Sequence, residues 1–167
     1  MDRRNVLTLL AISIAAPTVA RAKEAAMGEA EKEHAMQSLA VGTVALETAQ
    51  MAEEKAQNAW VKRFARYEVA EQTTIADILK SMGASPPKLT EKQAAIVAKT
   101  KEAKPGPSFD GDFLANQLDG HKELLKIQEN YIDKGKDEAA VNLSKLDRAQ
   151  IKEHIDLIET IQKDLKT

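Results

Sequence analysis

Two of the chain's three histidines stand inside apolar stripes, where an imidazole must either find a partner or bind something. His121 falls in the series Leu114, Leu118, His121, Leu125, Gln128, Ile132. His154 falls in the series Ile151, His154, Leu157, Ile158, Ile161, Leu165. Spacing by threes and fours puts each series on one face of a helix, and such a face ordinarily turns to a bundle core. The third histidine, His34, lies near the start of the first helical segment and is expected on the surface.

Acidic residues interrupt a third stripe. Val61, Phe64, Glu68, Glu71/Gln72, Ile75, Leu79 and Met82 share one side of a helix, so two carboxylates and an amide fall near its middle. Either Glu68 and Glu71 splay to the edges of the stripe and stay hydrated, or they are buried and need a cation or a metal beside them. In the second case Glu68, Glu71 and Glu47 join His121 and His154 as candidate ligands of a divalent metal. Zinc, iron, copper and manganese all suit such donors. Measured from the turn near Gly135, His154 lies about one helical turn deeper than His121, roughly 7 Å along the axis. The two rings are therefore expected in neighbouring layers. A di-iron carboxylate design needs Glu-x-x-His on two helices, and here Leu118 and Ile151 occupy the acid positions. No Ser-His-Asp or Cys-His arrangement can be assembled, and there is no cysteine.

These residues must be positioned by helices. Aromatics make up 4% of the chain and charged residues 30%, with abundant Ala, Leu, Glu, Lys and Gln, all good helix formers. No Val/Ile/Thr-rich alternating runs suggest strands. Four long helices are expected: Met27 to Lys55, Asn58 to Met82, Ser108 to Asp133, and Asp137 to Leu165. The first presents Met36, Ala40, Val44, Glu47 and Met51 on one face, and its small residues Gly42 and Ala45 permit close approach of a neighbour. Gly83 suits a left-handed cap. Thr90 is placed to cap a minor helix over Glu91 to Ala103, and Pro105-Gly106-Pro107 ends it. The fold class is thus all-α: a ferritin-like four-helix bundle with a long crossover carrying a minor helix. No internal repeat is evident.

The first residues read as an address. Arg3-Arg4 precede a short apolar run, Val6 to Ala16, and Ala20-Arg21-Ala22 is a small-x-small site. A signal peptide over residues 1–22 is expected, cleaved between Ala22 and Lys23, with a single domain over 23–167. The run is too short to anchor the chain, so no transmembrane helix remains after removal. The twin arginine fits the folded-protein export route, and an ordinary secretory signal fits equally. The whole chain carries a net charge of −2, and losing Arg3, Arg4 and Arg21 with Asp2 makes it more acidic, a surface unsuited to nucleic acid. The expected location is the periplasm.

Val61-Lys62-x-Phe64-Ala65, then Glu71-Gln72, Phe109-Asp110-x-x-Phe113-Leu114 leading to His121, and finally His154 resemble an exported bacterial family, the domain of unknown function four-one-four-two. The resemblance spans about Leu39 to Ile161, and the Phe-Asp segment with its following histidine is its most specific part. It implies a ferritin-like four-helix protein with no settled biochemical role. The family's histidines fall on Gln72, His121 and His154, and Phe113 stands in for a tyrosine. With an amide at Gln72, the resemblance implies a hydrogen-bonded network of these three that fixes helix register. The sequence thus reads as an exported, non-catalytic structural, stress-related or partner-binding module, without a cofactor. An envelope protein or a second copy would be its partner. The alternative is a divalent-metal-binding protein using the core histidines and carboxylates.

Overall fold

The computed structural model describes residues 27–166. The expected signal peptide and its cleavage site at Ala22 and Lys23 lie outside them. Five helices are formed: α1 Glu29–Lys55, α2 Ala59–Ser81, α3 Glu91–Glu102, α4 Pro107–Lys134 and α5 Glu138–Asp164. There is no strand among the described residues. α1 packs against α2 and α4, and α4 against α5, while α3 lies mainly on α1. His34 meets Gln128 and Ala45 meets Gln117, so α1 and α4 run antiparallel. Because α1 sits between α2 and α4, those two are not hairpin neighbours. The segment between them crosses the bundle, as the ferritin-like arrangement requires.

Local chemistry sets the helix ends. Asn58 accepts hydrogen bonds from the amides of Trp60 and Val61 to start α2, and Asp137 accepts from Ala140 to start α5. At the end of α2 the chain turns through Gly83 at φ 94°. The Ala84 amide donates to the Leu79 carbonyl, closing a left-handed cap that glycine alone adopts freely. Thr90 and Gln93 form a capping box at α3. α4 begins one residue earlier than the sequence suggests. Pro107 takes the first helical position, where its missing N–H costs nothing, and Ser108 lies inside the first turn.

α1 turns a different face inward from the expected one. Ala35, Ser38, Leu39, Gly42, Ala45, Thr48, Ala49 and Ala52 are buried, whereas Met36 is 49% exposed and Glu47 only half-buried. The larger apolar residues suggested the wrong rotation. The interior takes small residues because α2 and α4 both press close to α1. A Cβ added at Gly42 would lie 2.5 Å from Gln72 Oε1.

The apolar core is divided. One cluster, around Phe64, Phe109, Phe113, Leu114 and Ile158, fills the end near the α1–α2 turn. Another, around Ala35, Leu39 and Leu79, lies toward the other end of the α1–α2 hairpin. A buried polar layer of α2, α4 and α5 residues adjoins the first cluster through Phe64, whose ring lies 6.0 Å from that of His121 and 5.3 Å from that of His154.

The two hairpins also answer one another. Residues 79 apart, the separation of Glu71 and Gln150, hold matching places. Asn58 and Asp137 both cap helices from their own side chains. Asp110, on α4, accepts the Gln57 and Asn58 amides in the α1–α2 turn, the second at 2.7 Å. Glu31, on α1, accepts the Lys136 and Asp137 amides in the α4–α5 turn, the first at 3.0 Å. Each hairpin turn is thus held by an acid of the other hairpin. The repeat is structural, since few of the paired positions share a residue type.

Candidate metal centre

Three side chains from three helices converge in the core. Glu68 of α2 and His121 of α4 are fully buried, and His154 of α5 nearly so. His121 Nε2 is 3.3 Å from Glu68 Oε2, His154 Nδ1 is 3.2 Å from the same oxygen, and the two ring nitrogens are 3.2 Å apart. These form a nearly equilateral triangle of donor atoms. An ion bound at about 2.0–2.2 Å by such ligands spaces them roughly 3–3.5 Å from one another. The rings meet despite the offset in depth because side chains on a helix tilt toward its N-terminus. His121 leans away from the α4–α5 turn and His154 leans back toward it.

The groups behind the triangle orient its lone pairs. His121 Nδ1 is 2.8 Å from the Gln117 carbonyl, which can only accept, so that nitrogen carries the proton. In the neutral ring Nε2 then offers a lone pair to the centre. His154 Nε2 is 3.3 Å from Glu71 Oε2, and donating there frees Nδ1 in the same way. A carboxylate or carbonyl behind a ligating imidazole is the usual device for fixing its tautomer. Gln150 donates in turn to Glu71 Oε2 and steadies it. Neither oxygen of Glu68, nor Oε1 of Glu71, has a well-formed hydrogen bond among the described residues. Acceptors buried in that condition are ordinarily satisfied by something else, such as an ion.

Electrostatics are strained in a consistent sense. Burial alone raises the Glu68 carboxyl, but the charge of His121 and the close approach of both imidazoles outweigh it and hold the group below its ordinary range. Burial lowers His121, and the Glu68 carboxylate more than reverses this. Glu71 is pushed up to about 7, first by burial and, against the pull of His154, by the charge of Glu68. Asp147 of α5 is buried nearby and pushed up to about 6, again first by burial.

Of the residues singled out from sequence, Glu68, Glu71, His121 and His154 are brought together. Both carboxylates are buried rather than splayed into water. Glu47 is not in the group: α1 is rotated so that Thr48 faces the core instead. Gln72 is buried, but it sits over Gly42 and makes no hydrogen bond to either imidazole. The network implied for Gln72, His121 and His154 is therefore built from Glu68 and Glu71 instead. His34, expected on the surface, is 5% exposed. Its Nε2 donates to Gln128 Oε1 at 2.7 Å, Gln128 donates to Ser38, and the ring stacks on Tyr131 at 4.0 Å. Burial keeps that imidazole below its ordinary pKa, and so neutral. Sequence reasoning missed Asp147, although it continues the α5 stripe one turn before Ile151. The Phe109-Asp110 segment leading to His121 has a structural explanation. Phe109 packs in the core and Asp110 secures the opposite turn.

The chain belongs to the family whose model is described as Domain of unknown function (DUF4142), which matches residues 16–161. No curated protein and no solved structure matches it.

Proposed function

We propose that this member of the family binds one divalent first-row metal ion through Glu68, His121 and His154. The carrying observation is the triangle of three donor atoms at 3.2–3.3 Å, its two imidazoles each backed by an acceptor. Two nitrogens and one oxygen suit zinc, iron(II), copper or manganese better than calcium or magnesium. Glu71 and Gln117 orient the imidazoles, and Phe64 closes one side against water. The role proposed for the centre is non-catalytic. Glu68 and His121 are wholly enclosed, so an ion here ties α2, α4 and α5 together in a structural, stress-related or partner-binding module of the bacterial envelope.

Metal analysis and thermal melts test this. Purified protein should hold close to one equivalent of metal, and adding zinc or iron(II) after chelation should raise its melting temperature. Free metal at about a hundred times its Kd stabilises by about 2.7 kcal/mol. His121→Ala should abolish both the bound metal and the shift. Equal melting shifts with and without His121 would sink the proposal.

A second reading rests on the same contacts. A proton on His121, with Glu68 ionised, makes a buried ion pair that fixes helix register without any metal. Under that reading His121→Ala in chelator strands Glu68 and is expected to cost about 3–5 kcal/mol, while added metal does nothing to either protein.

A further inference from the structure

We propose that the metal ion enters and leaves through the seam between α2 and α5, and that His154 is the ligand that turns to admit it. The inference rests on the metal-binding reading above and adds the route by which so enclosed a centre fills. Around the bundle, α1–α2, α1–α4 and α4–α5 close tightly, and the α2–α5 seam stands open. It leaves a cavity of about 700 Å³, ample for a hydrated ion.

Of the three ligands, only His154 reaches this space. Glu68 and His121 are fully buried, whereas His154 keeps 7% of its surface and lines the seam. Its ring spans the seam and the centre. Nδ1 faces inward, 3.2 Å from Glu68 Oε2, and Nε2 faces Glu71, another residue of the seam wall, at 3.3 Å. Gln150 of α5 donates to the same Glu71 oxygen. At this level, then, polar side chains rather than packed apolar ones join α2 to α5. Water replaces a polar contact at small net cost, while parting an apolar interface exposes its whole area. The other approaches are of the second kind, since Phe64 packs against both imidazoles and α1, α2, α4 and α5 close around the remaining sides. A turn of His154 into the seam therefore opens the centre without separating any tightly packed pair of helices.

Zinc exchange kinetics test the route separately from binding itself. Ala70 of α2 and Ala149 of α5 are exposed on the seam walls, and neither is a ligand. Ala70→Trp combined with Ala149→Trp narrows the seam without entering the core. An obstacle in the path slows arrival and departure alike and leaves their ratio, the affinity, unchanged. Zinc uptake by the chelated protein and zinc release to a competing chelator should each slow at least about ten-fold, with Kd within about two-fold of the parent's. Either substitution alone should slow both rates in the same sense, so the result does not hang on one variant's folding. Ala98→Trp, exposed on α3 away from the seam, should change neither rate. A parent chain that binds no zinc would remove the metal reading and the route together. Zinc bound by the parent, with exchange unchanged in the seam variants or slowed as much by Ala98→Trp, would overturn the route alone. A weakened Kd at an unchanged uptake rate would also overturn it, because the tryptophans would then be distorting the site rather than blocking the way to it.

Discussion

Asp147 lies in the polar core without belonging to the donor triangle, and its cost depends on pH. Burial, aided by the charge of Glu68 and opposed by the two histidines, lifts it from its ordinary 3.8 to about 6. Below the lower value both folded and unfolded chains hold the proton, and the residue carries no penalty. Between the two values the unfolded chain ionises first, so folding loses stability as pH rises. Above about 6 the penalty is constant. Asp147→Asn cannot ionise, so in chelator it should be more stable than the parent at neutral pH by on the order of 1–3 kcal/mol. Urea melts should show that advantage vanishing near pH 4. An equal gain at both ends would mean the benefit is packing, not charge. The residue was legible in principle, since Ser144, Asp147, Ile151, His154 and Ile158 form one unbroken buried stripe on α5. The eye stops at Ile151 because a carboxylate looks like the edge of an apolar face. At Glu68 the same ambiguity has the same resolution. Periodicity gives a residue its direction but not its burial, which depends on the groups that neighbouring helices bring to meet it.

Among the helices, the ends were more legible than the faces. Thr90 and Gly83 act within a few residues of themselves, so their signals survive in sequence, whereas Pro107, read as the end of α3, instead opens α4. The inward face of α1 depends on how near α2 and α4 come, and large apolar residues there pointed the wrong way. His34 was misplaced for that reason, because Gln128, Ser144 and Tyr131 all come from helices distant in sequence. Asp110 shows a long-range cap with a local motif's appearance. Its carboxylate takes two amides of the α1–α2 turn, and Asp110→Ala leaves both without it. A loss of about 1–3 kcal/mol is expected, with faster hydrogen exchange at Gln57 and Asn58. Unchanged exchange at those amides would show that water replaces the carboxylate at little cost.

For the molecule as a whole, the all-helical bundle and its crossover were readable from breaker-free stretches and the proline-bounded segment. The pairing of its two halves was not, since Glu31 answers Asp110 and Glu68 answers Asp147 by position rather than by identity. The proposed envelope location makes its own demand. Mass spectrometry of the exported protein should find Lys23 at the N-terminus, and a periplasmic pool retaining residues 1–22 would contradict it. Replacing Arg3-Arg4 by Lys-Lys should block export only if the folded-protein route is used.

The reciprocal capping of the two turns carries a consequence for connectivity. Each hairpin needs the other's acid, yet nothing in that exchange depends on which hairpin the ribosome makes first. α1 starts beside the α4–α5 turn and α5 ends near the α1–α2 turn, so the described ends lie a bundle length apart, about 40 Å for a helix such as α1. The crossover from α2 to α4 already covers an equivalent distance. A circular permutant that opens the chain in this crossover and joins α5 to α1 through a linker of similar reach should therefore fold to the same bundle. Its helical circular dichroism and one-step melt should match the parent's, whereas a tight linker should give no cooperative melt. A long-linker permutant that fails to melt cooperatively would mean that the written order of the hairpins is itself part of the fold.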